Sequence, residues 1–263
     1  MIKELGNPIV YDKYGKPIRA KTHGQLKLIE AIDKYDILFV NGPAGCGKTF
    51  LSICKAIAYL RENKFEKLIV TRPAVESGEN LGFLPGSLDE KIAPYMKPIF
   101  DSINKLVKSS SEIGSGNGNG NGNNGNGKKK TKKEKEKEPE EDFYKRIEIF
   151  PLAYMRGSTL DNAFVISDES QNMDKSQMQM FLTRIGANCK VVITGDASQS
   201  DLDRSRTKSG FKHAQDILKD IKQIGFITLT EDDIVRHKVI KQIIMCYQKD
   251  NYSQHVQSNK DPY

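Results

Sequence analysis

The sequence predicts an α/β fold in which a parallel β-sheet is covered by helices on both faces. Two observations support this prediction. Six short runs are rich in β-branched and aromatic residues, as strands buried on both faces of a sheet are. Segments with helical spacing of apolar residues lie between most of these runs, and such alternation of strand and helix is typical of a parallel sheet.

The predicted strands are spread along the chain from its first quarter to its last. They are the runs 37–40, 68–70, 147–149, 164–166, 191–193 and 226–229. The segments with helical spacing are 25–34, 49–63, 176–185 and 209–221, and an amphipathic pattern over 234–247 predicts a closing helix.

The chain is expected to form one main domain of residues 21–250, with an N-terminal extension (1–20) and a polar C-terminal tail (251–263). The segment 109–141 interrupts this domain with serines, an alternating Gly/Asn tract, and then lysines and glutamates. Such a segment has almost no apolar surface to offset its ordering entropy, which predicts a flexible insertion. The insertion is either an expansion without function or a basic tether for nucleic acid.

Composition bears on the partners of the chain. The net charge is +7 and the isoelectric point is about 9.0. Lys and Arg gain affinity by releasing counterions from phosphates, so this balance permits single-stranded RNA or DNA as a partner, and it equally fits a soluble basic surface. The four cysteines form no C-x-x-C pair, and no stretch approaches the roughly 20 apolar residues that span a bilayer. We expect a cytoplasmic protein without a membrane partner.

The most specific motif lies between the first predicted strand and the helix that follows it. Residues 42–49 fit G-x-x-x-x-G-K-[ST], the P-loop pattern, in the strand-to-helix context that this pattern requires. Glycines let backbone N–H groups converge on phosphate oxygens, Lys48 reaches the β and γ phosphates, and Thr49 offers a hydroxyl to Mg²⁺. The predicted nucleotide-binding residues are therefore Gly42, Pro43, Ala44, Gly45, Cys46, Gly47, Lys48 and Thr49.

Two adjacent acids stand at the end of the apolar run 164–166, in the arrangement known as Walker B. We expect Asp168 to bind Mg²⁺ together with Thr49, and Glu169 to activate or orient the attacking water. The two motifs together predict a magnesium-dependent ATP hydrolase, with Lys48 and Glu169 as catalytic residues.

Three other polar residues are candidates for the same site. Gln199 follows the fifth predicted strand, where its amide is placed to sense the γ phosphate, although a plain turn also explains that segment. Gln25, near the start of the first helix, carries an amide that is able to pair with adenine. Arg236 is our first choice for the arginine that stabilises the transition state, ahead of Arg156 and Arg184.

These motifs resemble the PhoH family, phosphate-starvation-inducible ATPases that are frequent in bacteria and their phages and are related to the superfamily 1 helicase core. The resemblance covers residues 20–250 outside the insertion. Besides the P-loop it rests on the segments 71–75, 81–86, 91–95, 151–157, 168–172, 181–186, 194–196 with Gln199, and 235–237.

The resemblance implies a P-loop NTPase with a RecA-like, helicase-type core that lacks the second core domain of full helicases. It also implies ATP as the nucleotide, homo-oligomeric rings such as hexamers, and RNA as a partner, with Arg72 as a candidate contact. Two positions depart from the family pattern. Ser158 stands where an arginine is usual, which puts phosphate or intersubunit contacts in doubt, and Ser170 replaces the usual alanine, a change expected to be mild.

Two other classes of function remain open from the residues alone. One is a nucleotide-controlled assembly module with slow hydrolysis, and the other is a small-molecule kinase that uses the same phosphate loop. A GTPase is disfavoured because the guanine-binding pattern N-K-x-D is absent from the sequence.

Overall fold

The structure is a computed structural model, and it describes residues 4–73, 88–108, 140–155, 157, 159–198, 209–235 and 239. Nearly all of the predicted insertion and of the predicted closing helix, and the whole C-terminal tail, lie outside these residues. Within the described ranges, no helix has both the length and the apolar character needed to cross a membrane.

The described chain begins with an antiparallel hairpin, followed by the strands of a separate parallel sheet. The hairpin consists of β1 (Leu5–Tyr11) and β2 (Pro17–Ala20). The parallel strands are β3 (Ile37–Asn41), β4 (Lys67–Arg72), β5 (Ile147–Pro151), β6 (Ala163–Ser167), β7 (Lys190–Gly195) and β8 (Ile224–Thr228). Their order across the sheet is β5-β4-β6-β7-β3-β8, and every neighbouring pair is parallel. The six predicted strands are thus confirmed.

Helices cover both faces of the sheet, as predicted. On one face lie α1 (His23–Lys34), α2 (Lys48–Arg61), α3 (Leu88–Asn104) and α4 (Glu140–Lys145). On the other lie α5 (Lys175–Leu182) and α6 (Gly210–Leu218).

The central residues of the strands are mostly apolar because successive side chains enter two different cores. In β3, Leu38 and Val40 pack against the α1 and α2 side, whereas Phe39 packs against the α5 and α6 side. All three side chains are buried. This arrangement fixes the sheet between its helical layers and brings the carboxyl ends of the parallel strands to one edge.

Three features of the described residues were not predicted from the sequence: the hairpin, α3, and the short helix α4, whose first two residues fall within the predicted insertion. The hairpin falls within the segment interpreted only as an N-terminal extension, and it packs against α1 and α2. Helix α3 contains Pro94 and Pro98, which each lack a backbone N–H and normally disfavour a helix interior. Its buried residues Met96, Ile99 and Ile103 pack into the core beside α2, so tertiary packing outweighs the local cost of the prolines.

Candidate nucleotide and magnesium site

The P-loop connects β3 to α2 and depends on its glycines. Gly42 has a φ of 154°, and a Cβ atom there would lie 2.8 Å from the carbonyl oxygen of Leu229. Gly47 has a φ of 89°, a left-handed conformation that side chains other than glycine rarely adopt, and it directly precedes α2. The turn therefore requires glycine at both positions, and it directs the free N–H groups at the start of α2 toward the loop.

Lys48, the first residue of α2, folds back across this loop. Its Nζ donates to the carbonyl oxygens of Gly42 at 2.5 Å and Pro43 at 3.0 Å, and it lies 3.9 Å from Sγ of Cys46. Burial raises the pKa of the Cys46 thiol more than the neighbouring Lys48 lowers it. The structure thus places a cationic group at the centre of the loop, beside a thiol that is held in its neutral form.

Asp168 lies just beyond β6 and is the most heavily hydrogen-bonded side chain of the site. Its Oδ1 accepts from the hydroxyls of Thr49 at 2.5 Å and Thr194 at 2.6 Å. Its Oδ2 accepts from Nε and Nη2 of Arg72 at 2.8 Å and 2.6 Å. The side chain is only 2% exposed. Because β6 lies between β4 and β7, both neighbouring strands contribute a partner to this carboxylate.

Glu169 is held in a strained backbone conformation at the edge of the site. Its φ of 54° is uncommon for a residue other than glycine, and such strain often accompanies function. Oε2 accepts from Nε2 of Gln171 at 2.7 Å, and Oε1 lies 3.6 Å from Nη2 of Arg72. The side chain is 48% exposed. The carboxylate is therefore oriented by the protein while it remains open to water.

Gln25 supports the P-loop from α1. Its Nε2 donates to the carbonyl of Cys46 at 2.9 Å, and its Oε1 accepts from the backbone N–H of Lys21 at 2.9 Å. A primary amide has two hydrogens and two acceptor lone pairs, so one of each remains after these bonds. Recognition of adenine by Gln25 stays a prediction.

A second support comes from the segment after β8. The carboxylate of Asp233 accepts from the hydroxyl of Thr22, the N-cap residue of α1, at 2.5 Å and from the N–H of Thr230 at 2.9 Å. The N–H of Val235 donates to the carbonyl of Gly45 at 3.2 Å. The chain that leads to residue 236 is thus attached directly to the P-loop.

Of the remaining predicted residues, only Arg184 lies within the described part of the chain. Gln199, Arg236 and Arg156 lie outside the described residues, as does Ser158, so their predicted roles stay predictions. Arg184 is described and half-buried, and its backbone carbonyl accepts from the N–H of Leu160.

Sequence reasoning did not identify three partners of the acids. Arg72 and Thr194 bind Asp168, and Gln171 joins Glu169 to the backbone N–H of Asp196 at 3.1 Å. Arg72 was considered only as an RNA contact, and such a contact would have to break its bonds within the site. The signal available in the sequence was that Arg72 and Thr194 stand at or near the carboxyl ends of their strands; the structure adds that these strands lie on either side of β6.

The residues present fit a magnesium ion. Mg²⁺ prefers oxygen ligands and is commonly bound by one or two carboxylates together with substrate phosphates. Thr49 Oγ1 and Asp168 Oδ1 approach each other within 2.5 Å and are both oxygen atoms. No three His, Cys, Asp or Glu side chains of the described ranges converge into a metal-binding group. A cation at this position would therefore complete its coordination with phosphate or water.

A cavity of about 740 Å³ opens beside the P-loop. Gly45, Gly47 and Phe50 form one wall, the β1–β2 hairpin forms another, and Lys105 after α3 contributes to a third. Its volume lies in the range of about 300–1,000 Å³ that is usual for small-molecule sites. The cavity adjoins the P-loop backbone at Gly45 and Gly47, whereas Lys48, Thr49 and Asp168 are not among its lining residues.

The fold has distant counterparts among solved structures. The large terminase of a thermophilic bacteriophage is 16% identical, with a TM-score of 0.47, and the match covers 86% of this chain and 49% of the terminase. The SWI2/SNF2 ATPase core of Sulfolobus solfataricus, solved with dsDNA, is 13% identical with a TM-score of 0.41, and the match covers 88% and 47% of the two chains. Both TM-scores are below 0.5.

Sequence relatives are much closer. A PhoH-like protein of Bacillus subtilis is 44% identical over 90% of this chain and 66% of its own length. A PhoH-like protein of Synechocystis is 42% identical over 89% of this chain and 63% of its own length. Protein PhoH of Escherichia coli is 35% identical over 88% and 58%. The chain thus spans two thirds or less of the length of these relatives.

The family model described as PhoH-like protein matches residues 17–248, which include the P-loop, Asp168 and Glu169. The chain therefore belongs to the PhoH-like protein family.

Proposed function

We propose that this chain binds ATP with Mg²⁺ and hydrolyses it to ADP and phosphate in a process that acts on RNA or another nucleic acid. One observation carries the proposal: Thr49, at the start of the P-loop helix, meets Asp168 at the end of a different strand, at 2.5 Å. The two motifs that the sequence separates by more than a hundred residues therefore share one site with Lys48.

Within this site Lys48 and the P-loop backbone bind the triphosphate. The Nζ of Lys48 exchanges its bonds to the Gly42 and Pro43 carbonyls for phosphate oxygens, which are stronger acceptors because they are charged. The N–H groups at the start of α2 add further donors and the positive end of the helix dipole. Thr49 and Asp168 would hold Mg²⁺, which supplies charge neutralisation to the phosphates when bound.

Glu169 orients the attacking water and accepts a proton from it. Gln171 fixes Oε2 of this carboxylate, whereas Oε1 lies 3.6 Å from Nη2 of Arg72, and we assign Oε1 to the reacting water. Its strained backbone turns the side chain toward solvent at the end of β6. We assign Gln199 to sensing the γ phosphate and Arg236 to stabilising the transition state. Arg236 directly follows Val235, which is hydrogen-bonded to the P-loop.

The nucleoside is assigned to the cavity beside the loop. This cavity adjoins the P-loop at Gly45 and Gly47 and therefore lies beside a ligand whose phosphates are on the loop. Phe50 offers an aromatic surface there, and Gln25 lies at the same wall with one free donor and one free acceptor.

Action on nucleic acid and assembly into rings are proposed from the charge of the chain and from the family resemblance. The net charge of +7 favours a polyanionic partner through counterion release. The family resemblance implies single-stranded RNA and homo-oligomeric rings, and DNA is the alternative substrate.

The test is steady-state hydrolysis of ATP and of GTP, with and without single-stranded RNA, by the wild type and Lys48→Ala. Loss of a charged contact to the transferring phosphate is expected to lower kcat by on the order of 10³-fold. Lys64→Ala is a matched control, because that lysine is exposed and pairs with Glu62 on the surface, away from the P-loop. Equal rates for Lys48→Ala and the wild type would overturn the proposal, and RNA that leaves the rate unchanged at low salt would remove its nucleic-acid part.

The two alternative classes are separated by the products. Transfer of phosphate to a metabolite, rather than release of free phosphate, would indicate the kinase. Slow hydrolysis by the wild type, together with ATP-dependent assembly that persists in Glu169→Gln, would indicate the assembly module.

A further inference from the structure

The two oxygens of the Asp168 carboxylate have separate sets of partners. Oδ1 faces the hydroxyls of Thr49 and Thr194, on the side of the P-loop. Oδ2 is taken by two nitrogens of the Arg72 guanidinium. A cation that approaches from the P-loop therefore meets a carboxylate whose charge is already paired from the opposite side.

The guanidinium of Arg72 is itself held in place. Its third nitrogen, Nη1, donates to the carbonyl of Tyr95 in α3 at 2.7 Å, and the side chain is only 16% exposed. Three of its nitrogens thus have partners in a fixed geometry, which a lysine cannot reproduce. The Arg72 charge is consequently a permanent part of the site.

The net charge of the site depends on whether a cation or a nucleotide is bound there. Arg72 and Lys48 balance Asp168 and Glu169, so these four groups sum to zero charge without a ligand. The ion pair is buried, and charges there interact more strongly than in water. A divalent cation alone gains little from such a site, whereas a nucleotide brings negative phosphates that attract the cation and both basic groups.

We propose that Arg72 prevents the protein from retaining a divalent cation by itself, so that metal and nucleotide bind as one unit. The inference rests on the proposed function and names a determinant of it. Arg72 acts through Asp168 and is a positioning and charge-compensating residue, not a catalytic one.

Removal of the charge should have two opposite effects. In Arg72→Gln, Asp168 lacks its counter-ion, so affinity for a metal ion without nucleotide should rise by about tenfold or more. Affinity for ATP without metal should fall by a similar factor, because the phosphates then face two carboxylates of which Lys48 balances only one. A merely structural role would weaken both. Arg72→Lys keeps the positive charge but lacks the planar guanidinium with its several N–H donors. The affinity of this variant for metal alone should stay near that of the wild type.

The experiment titrates Mn²⁺ into nucleotide-free protein and measures free Mn²⁺ by electron paramagnetic resonance. The proteins are the wild type, Arg72→Gln, Arg72→Lys, and the double variant Arg72→Gln/Asp168→Asn. A fluorescent ATP analogue in EDTA gives the metal-free nucleotide affinity, and circular dichroism melting reports folding. The double variant should lose the metal binding that Arg72→Gln gains, which places the gained ion at Asp168.

The inference is overturned if Arg72→Gln binds Mn²⁺ no better than the wild type, or if the double variant keeps the gain. It is also overturned if wild-type protein alone retains Mn²⁺ as tightly as it does with ATP, a result that does not depend on any variant folding. Binding of the ATP analogue to the wild type with Mg²⁺ tests the proposed function separately.

Discussion

Two buried threonines, one on each of the strands that flank β6, allow the energy of the Asp168 network to be measured. Thr194 and Thr71 are both fully buried in the sheet. The hydroxyl of Thr194 donates to Asp168 at 2.6 Å, whereas the hydroxyl of Thr71 is buried without a hydrogen-bond partner. The change Thr→Val replaces the hydroxyl with a methyl group of similar size, so the two positions form a matched pair.

The expected results have opposite signs. Thr194→Val removes a hydrogen bond to a charged acceptor and should lower the free energy of unfolding by about 1.5–3 kcal/mol. Thr71→Val removes a buried hydroxyl that makes no bond, and should leave stability unchanged or raise it by about 1 kcal/mol. For a chain of this size, about 2 kcal/mol corresponds to a shift in Tm of roughly 4–8 °C.

Urea denaturation followed by circular dichroism, supported by thermal melting, measures both variants against the wild type. The midpoint should fall for Thr194→Val, and the slope of the transition should be the same in all three proteins. Equal losses at the two positions would show that the bond to Asp168 contributes no special stability. A loss confined to Thr71→Val would contradict the hydrogen-bond assignment itself.

Three further predictions concern the acid, the support of the P-loop and the thiols. Glu169→Gln should keep nucleotide affinity in a fluorescence titration while turnover falls by on the order of 10²-fold or more; an unchanged rate would remove Glu169 from the mechanism. Gly24→Ala should lower the urea midpoint, because its Cβ would lie 2.3 Å from the carboxylate of Asp233, and an unchanged midpoint would contradict that close packing. Iodoacetamide at neutral pH should label Cys189, which is partly exposed, before Cys46, whose thiol is buried and has a raised pKa. Peptide mass spectrometry reads the order, and faster labelling of Cys46 would refute it.

The sheet was predictable because its signal is local. Each strand of a parallel sheet is buried on both faces, so runs such as 191–193 stand out without knowledge of their neighbours. The same holds for the P-loop, whose glycines are set by backbone geometry within eight residues. Both the strands and the P-loop can therefore be predicted from short segments of the sequence.

The features that were missed depend on distant contacts. Helix α3 exists despite Pro94 and Pro98 because Ile99 and Ile103 are buried against the core, a contact that local propensity does not reveal. The pairing of Arg72 with Asp168 depends on the order of the strands, since it requires β4 to lie beside β6. A sequence shows which residues end a strand but does not show which strands are neighbours.

The partners of Gln25 illustrate the same limit at closer range. The sequence places an amide before the P-loop strand, and the structure shows that this amide joins the Cys46 carbonyl to the Lys21 N–H. Support of the P-loop and recognition of adenine would both use the side-chain amide of Gln25. Only the three-dimensional contacts distinguish the first role.

The central claim is that the P-loop and Asp168 hold one metal–nucleotide complex. The most direct measurement is a crystal structure with Mn²⁺ and a non-hydrolysable ATP analogue, with the metal located by anomalous scattering. We expect one Mn²⁺ bonded to Thr49 Oγ1, with Asp168 bound to it directly or through one water and the phosphates against Lys48. A metal peak remote from Thr49, or a triphosphate bound away from residues 42–49, would contradict the account.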